Sequence, residues 1–140
     1  MNDHAIDLRI SALAVHFREI GETRMRDLPF YNARLSVEAC GFAPFDQTDL
    51  IGVLVTPWFM NLVRLPLVRE DDPGRVGVSR RLALGNERFD FIGAHEAAIG
   101  TFDACSLFSP MFDFSDQDNA VATARAVLIR LRTPQAPAAA

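Results

Sequence analysis

The sequence has 140 residues, a formal net charge of -4 at pH 7 and 49% hydrophobic residues. A chain of this length suits one domain and can bury roughly two-thirds of the surface that its unfolded form exposes. The proportions of hydrophobic and charged residues are those of a globular protein and exclude general disorder. The negative charge disfavours nucleic acid as a partner, because phosphate backbones are bound by basic surfaces.

The first helix is predicted from hydrophobic spacing near the amino terminus. Apolar residues recur at intervals of four, three, four and three, which places them on one stripe of a helix. The stripe consists of Ile6, Ile10, Leu13, Phe17 and Ile20. Asp3 is expected to cap the start of this helix, and Gly21 is expected to end it.

The middle of the chain is predicted to form strands, because short apolar or alternating runs are separated by turn residues. Phe42–Asp46 has turn chemistry, residues 69–75 form a charged, solvated connection, and Gly85-Asn86-Glu87 is a hairpin loop. The predicted strands are residues 35–40, 50–55, 58–65, 80–84, 88–92 and 101–107.

A second helix is predicted near the carboxyl terminus. Ser115 followed by Asp118 resembles a capping box, and Val121, Ala124, Leu128 and Leu131 mark one apolar face. We therefore expect an α+β fold, a mostly antiparallel sheet with an N-terminal and a C-terminal helix packed on it, both able to cover one sheet face. Residues 1–132 would form a single domain and residues 133–140 a flexible tail.

Localisation signals and membrane spans are not recognisable. The terminus Met1-Asn2-Asp3-His4 is acidic where a secretory signal would be basic, and no run reaches the ~18–20 apolar residues of a membrane span. The two cysteines, Cys40 and Cys105, lie far apart, which favours free thiols in a reducing compartment. We expect a cytoplasmic protein without membrane insertion.

Catalytic and metal-binding patterns are also not recognisable. The glycines form no phosphate-binding loop, and His4, His16 and His95 share no metal-ligand spacing. Cys105 would need His95 as a base and Asp103 to orient it, yet nothing in the sequence places His95 beside this thiol. We therefore expect no catalytic, cofactor-binding or metal-binding residue. A buried or thiol-ligand role for Cys105 remains open.

Two apolar segments beside prolines break the alternation of a strand. In Thr56–Leu62, a strand would place Trp58 and Met60 on one face and Phe59 on the other. In Ser106–Phe112, Pro110 ends sheet pairing. One interpretation is that both segments are core. The other is that Trp58, Phe59 and Met60 lie near Phe108, Pro110 and Met111 and form a partly exposed patch for a partner.

Three segments carry a resemblance to a known family. Leu28-Pro29-Phe30-Tyr31-Asn32, Gly52–Leu62 with its Thr-Pro-Trp-Phe-Met-Asn string, and Cys105-Ser106-Leu107-Phe108-Ser109-Pro110-Met111 are similar to segments of other proteins. They resemble the [NiFe]-hydrogenase assembly chaperones of the HybE type, which include HupJ-like and HoxT-like proteins. The similarity extends from about Leu28 to about Leu131.

This resemblance implies an accessory protein without enzymatic activity or cofactor. Its partner would be a hydrogenase small or large subunit precursor; some members are thought to delay export of a subunit carrying a twin-arginine signal. The partner-binding residues predicted from the two apolar segments beside prolines are Trp58, Phe59, Met60, Asn61, Phe108, Pro110 and Met111. Some relatives carry a rubredoxin module, whose four-thiolate iron site two cysteines cannot form. The alternative function is iron or nickel handling through Cys105 and Cys40; the oligomeric state is open.

Overall fold

A computed structural model describes residues 2–133. The chain begins with helix α1, Asp3–Ile20, continued by one π-helical turn, Gly21–Met25. Six strands follow: β1 Glu38–Pro44, β2 Asp49–Val55, β3 Met60–Pro66, β4 Ser79–Leu84, β5 Glu87–Glu96 and β6 Gly100–Phe108. A 3-10 turn, Pro73–Arg75, precedes β4, and helix α2, Gln117–Arg132, comes last. The predicted α+β class is confirmed.

The six strands form one antiparallel sheet in the order β1-β2-β3-β6-β5-β4. β1, β2 and β3 pair in sequence order, as do β4, β5 and β6, and the pairing of β3 with β6 joins the two halves of the sheet. The predicted hairpin between β4 and β5 is present, but its connection is Gly85-Asn86 alone, because Glu87 already pairs with Leu84 as the first residue of β5. No helix within residues 2–133 is long and apolar enough to cross a membrane.

The two helices cover opposite faces of the sheet, so the expectation that both cover one face is wrong. Helix α1 packs through Leu13 and Phe17 on the side of Leu50 and Leu54. Helix α2 packs on the other side, with the alternate β2 residues Ile51, Val53 and Val55. The reason is visible in β2, whose continuous apolar run is typical of a strand that is covered on both faces.

The edges of several elements differ from the prediction. Strand β1 starts later and continues through Phe42–Pro44, where a turn was expected. A bulge lies between Cys40 and Ala43, and Gly41 adopts a φ of +61° there. Glycine tolerates this left-handed conformation, so the strand passes through the bulge instead of ending. The third predicted strand begins at Met60 and not at Trp58.

At the start of each helix, the capping residue lies one position away from the residue that the sequence predicts. Asn2, and not Asp3, caps α1 by accepting a hydrogen bond from the His4 N–H at 2.8 Å. Asp116 caps α2 by accepting from the Asn119 N–H at 2.8 Å, so Ser115 and Asp118 do not form the cap. α1 ends at Ile20 with Gly21 as its C-cap, where the sequence predicts an end, but Gly21 has right-handed helical backbone and the chain continues through the π turn.

The charged connection after β3 lies across the sheet and is not merely a solvated loop. Arg75 donates to Asp103 of β6 at 2.6 Å, and the Asp72 N–H donates to Thr101 at 2.9 Å. A side chain at Gly93 would collide with the Arg75 carbonyl oxygen, so glycine permits this crossing. Of the predicted tail, Thr133 caps α2 by donating to the Ile129 carbonyl at 3.0 Å. Residues 134–140 lie outside the described part.

Candidate functional site

The turn between β2 and β3 determines where the first apolar segment points. The Thr56 hydroxyl oxygen accepts hydrogen bonds from the N–H groups of Trp58, at 3.2 Å, and Phe59, at 2.9 Å. The Thr56 N–H donates to the Phe59 carbonyl at 2.8 Å, and Val55 pairs with Met60. The segment is therefore a four-residue loop whose side chains do not alternate as a strand requires.

Trp58 and Phe59 consequently share a face, which corrects the predicted pairing of Trp58 with Met60. Both aromatic side chains pack on the α1 side, where Phe59 lies edge-on to Phe17 with 5.8 Å between ring centroids. Met60 is fully buried on the α2 side. Trp58 is only 8% exposed and stacks on Tyr31 at 6.2 Å. These contacts make Trp58 and Met60 core residues in this conformation.

The loop from β6 to α2 treats its apolar residues differently. Met111 is fully buried with Met60 in the α2-side core, and Phe114 is buried edge-on to Phe108 at 5.2 Å. Phe112, between these two anchors, is 58% exposed. Phe108 and Pro110 are also exposed. Met111 and Phe114 thus anchor the loop in the core. Phe108, Pro110 and Phe112 are left exposed to the solvent.

Asn32 connects this loop to the β2–β3 turn. Its buried side-chain amide donates to the carbonyl oxygens of Met111 and Phe114, both at 3.0 Å. Its backbone N–H donates to the Pro57 carbonyl at 2.8 Å. The three segments that carry the family resemblance therefore meet at one end of the sheet, around a single amide. Composition and periodicity contain no signal for this role, and only the resemblance included Asn32.

We use the name apolar surface for the exposed and half-buried side chains on these segments and directly beside them. Leu28 and Phe30 come from the segment before β1, and Phe108, Pro110 and Phe112 come from the end of β6 and its loop. Phe59 and Asn61 are half-buried at the start of β3, where Met60 pairs with Phe108 and Asn61 with Ser106. Of the seven residues predicted for partner binding, three are buried: Trp58, Met60 and Met111. Leu28, Phe30 and Phe112 were not among those seven.

The two thiols lie in environments that disfavour the thiolate. Burial, and secondarily the charge of Glu38, raises the pKa of Cys40 to about 11. Burial, and secondarily Asp90, raises the pKa of Cys105. A reactive or metal-binding cysteine requires the opposite shift.

His95 does not approach Cys105. It pairs across the sheet with Thr101, four residues before Cys105 on the same strand, which is ~13 Å along a strand. The His95 Nε2 atom lies 2.8 Å from the Asp71 carboxylate instead. Within residues 2–133, no group of three or more His, Cys, Asp or Glu side chains is placed to hold a metal ion.

Comparison with a family model and with sequence relatives shows which proteins this chain is similar to. Residues 8–140 match the family model described as "[NiFe]-hydrogenase assembly, chaperone, HybE". "Hydrogenase expression/formation protein HupJ" of Bradyrhizobium diazoefficiens is 47% identical over 87% of this chain and 70% of its own length. "Protein HoxT" of Cupriavidus necator is 43% identical over 92% of this chain and 79% of its own length.

A longer relative and a solved structure extend the comparison. "Probable rubredoxin HupJ" of Rhodobacter capsulatus is 43% identical over 94% of this chain, which spans about half of that relative's length (47%). The solution structure of HybE from Escherichia coli has the same fold, with a TM-score of 0.66 at 20% identity over 94% of this chain and 86% of that one. The chain belongs to the HybE family of [NiFe]-hydrogenase assembly chaperones.

Proposed function

We propose that this chain binds a hydrogenase subunit precursor through the apolar surface and releases it when assembly is complete. The observation that carries the proposal is the convergence of the three resembling segments on Asn32, with apolar side chains left exposed on the first and third of them. Exposed apolar patches of this kind mark protein–protein contacts. Aromatic side chains supply a large contact area in such interfaces with few rotatable bonds.

The affinity suited to this task is moderate. A chaperone must release its client, so an interface at the transient end of the range, below roughly 1,200 Å² of total buried area, is sufficient. Association and side-chain ordering offset much of the hydrophobic gain, so area alone does not set the affinity. We expect dissociation constants near micromolar, which correspond to about -8 kcal/mol.

The small-subunit precursor with its twin-arginine signal is the client that the charges favour. Asp113 follows the exposed Phe112 directly, and Asp118 lies in the first turn of α2. The whole chain carries a net charge of -4. Acidic groups beside an exposed aromatic ring suit a segment that is both basic and apolar, although the attraction is screened beyond ~8 Å at physiological salt. Retention of the precursor would occur in the cytoplasm, before export.

The proposed activity is binding and not catalysis. Iron or nickel handling through Cys105 has less support, since burial raises the pKa of this thiol and two cysteines make a weak site without histidine ligands. A Cys105→Ser variant is expected to retain client binding.

The test is a titration of the purified protein with the small-subunit precursor, the same subunit without its signal, and the large-subunit precursor. We expect micromolar binding of the first and at least tenfold weaker binding of the second, with a salt dependence that follows from the charges. Binding of the large subunit alone would assign the apolar surface to a different client. Stoichiometric iron or nickel in the purified protein, abolished in Cys105→Ser, would replace the proposal with cofactor handling.

A further inference from the structure

A cavity of about 380 Å³ lies at the carboxyl end of α2, away from the apolar surface. The apolar surface adjoins the amino end of this helix, and a helix of 16 residues is ~24 Å long. The cavity is bounded by the end of α2, the β1–β2 connection and the β4–β5 hairpin. Its lining residues are Ala43, Pro44, Phe45, Ile51, Ala83, Leu84, Gly85, Leu128, Leu131 and Arg132.

The two edges of the sheet form opposite walls of this cavity. The hairpin is held at the helix end by the ion pair between Arg130 and Glu87, at 2.6 Å, and by Gly85, which lies against the Leu131 carbonyl. On the other side, the β1 bulge at Gly41 lies against Leu128. The walls are thus fixed by backbone and helix contacts, as in a binding pocket that exists before its ligand arrives.

Arg132 is the single charged residue of the lining. Its Nη2 atom donates to the carbonyl oxygens of Gly41 and Ile51, both at 2.8 Å, which fixes the plane of the guanidinium. Its Nε and Nη1 atoms make no hydrogen bond to any residue from 2 to 133, and none of those residues forms an ion pair with it. Arg132 as a whole is exposed, and its partial burial against the sheet lowers its pKa.

We propose that this cavity binds an apolar monocarboxylate. The apolar body would lie between Leu84, Leu128 and Leu131, and the carboxylate would accept hydrogen bonds from the Nε and Nη1 atoms of Arg132. The volume falls within the range of small-molecule pockets, about 300–1,000 Å³, and one oriented polar group in an apolar wall is the usual composition of such pockets. A carboxylate supplies the acceptor that the Nε and Nη1 atoms do not find within residues 2–133, whereas an ammonium group would be repelled.

The decisive measurement is calorimetric titration of the full chain with octanoate, 1-octanol and octylammonium. These three probes share one apolar body and differ in the head group. Octanoate is expected to bind with one site, and the alcohol and the ammonium at least tenfold more weakly, because a charge-assisted pair is lost. Equal binding of octanoate and octanol would show a merely apolar cavity and overturn the proposal, as would no binding of octanoate.

Variants locate the site and separate binding from folding. Arg132→Gln should weaken octanoate at least tenfold, while the exposed Arg125→Gln on the same helix is the charge-matched control and should not. Because Arg132 also holds β1, a second variant leaves it untouched. Ala43 shares a sheet face with Ile51 by its register, so Ala43→Leu should fill the cavity and abolish binding, with the exposed Ala126→Leu as the size-matched control. Undiminished octanoate binding by folded Ala43→Leu would also contradict the proposal.

A further titration distinguishes a protein segment from a free aliphatic acid as the source of the carboxylate. N-acetyl-leucyl-leucine with a free carboxylate offers the same chemistry from a peptide, and its carboxamide is the control. Binding of the dipeptide acid tighter than octanoate, with the same dependence on Arg132, would identify a protein segment as the source. Tighter binding of octanoate would identify a free aliphatic acid.

Discussion

The β2–β3 turn and the β6–α2 loop have similar compositions and opposite exposures. Each contains a proline and large aromatic side chains, and a methionine lies in the loop and directly after the turn. In the turn, Tyr31 and the start of the π-helical segment cover Trp58, which is 8% exposed. In the loop, Phe112 projects beyond the elements that bury Met111 and Phe114. The same residue types thus form core in one place and surface in the other, according to what lies above them.

This contrast shows that one aromatic-rich segment stabilises the core and the other is exposed for binding. The amino-acid sequence of such segments does not distinguish these two roles. The turn anchors one end of the sheet, because its side chains join the α1-side core and its hydroxyl fixes the backbone. The loop is anchored through Asn32 and has side chains free for a partner. Substitutions in the turn should therefore change stability, and substitutions at exposed loop positions should change binding.

Trp58→Ala tests the buried β2–β3 turn and has the largest expected effect on stability. Truncation of a buried aromatic side chain should lower the free energy of unfolding by ~3–5 kcal/mol. Chemical denaturation measures this loss, and Trp58→Phe, which retains a ring against Tyr31, should recover part of it. Client binding should fall only in proportion to the folded fraction. A folded Trp58→Ala protein with unchanged stability and lost binding would place Trp58 in the interface instead.

The two cysteines differ in burial, and this difference predicts how the stability of the fold depends on pH. The pKa of Cys40 is about 11 in the folded protein, against ~8.5 for an unperturbed thiol. The unfolded chain therefore loses its proton first as the pH rises, and stability present below pH ~8.5 is lost towards pH 11. The expected loss is about 3 kcal/mol.

Denaturation at several alkaline pH values measures this loss. The chain has no lysine and only one tyrosine, so few other groups titrate in that window. Cys40→Ala should flatten the pH dependence between 9 and 11. Cys105→Ala is the matched control and should change the slope less, because this side chain is only half-buried and its charge is better screened. Equal slopes in the parent and Cys40→Ala would contradict the assigned burial.

Asn32→Ala tests the connection between the turn and the loop. The substitution leaves the carbonyl oxygens of Met111 and Phe114 without their buried donor, which should cost ~1–3 kcal/mol. Hydrogen exchange should quicken in residues 109–115 more than in the β4–β5 hairpin. Asn61→Ala is the control, since the Asn61 side chain makes no hydrogen bond within residues 2–133. Equal losses for both variants would mean that the amide does not hold the loop.

Local patterns in the sequence were sufficient for most of the fold. The spacing of Leu13 and Phe17 predicts α1, and the apolar run of β2 predicts a buried strand. The side of the sheet on which each helix packs was not predictable in this way, because both helices have one apolar stripe and either face of β2 accepts it. The pairing of β3 with β6 likewise depends on contacts between residues about 40 positions apart.

The site was predictable only in part, for a similar reason. Proline and the loss of alternation indicate that Thr56–Leu62 and Ser106–Phe112 are unusual, and they do lie together. The orientation of Trp58 depends on the Thr56 hydroxyl, which changes a strand into a turn. Exposure at Phe112 depends on the absence of a covering element within residues 2–133, which periodicity does not report.

Phe112→Ala tests the exposed part of the β6–α2 loop and should have the smallest effect on folding. The ring is largely in solvent, so its removal should change the free energy of unfolding by less than about 0.5 kcal/mol. If the apolar surface binds the hydrogenase precursor, the same change should weaken binding by ~2 kcal/mol, which is roughly thirtyfold. Ile129→Ala is the matched control, because Ile129 is 67% exposed on α2 near the other end of that helix. Titration of both variants with the small-subunit precursor, beside their unfolding curves, makes the comparison. Normal binding by Phe112→Ala, or an equal loss in Ile129→Ala, would remove the apolar surface as the client site while leaving the fold argument intact.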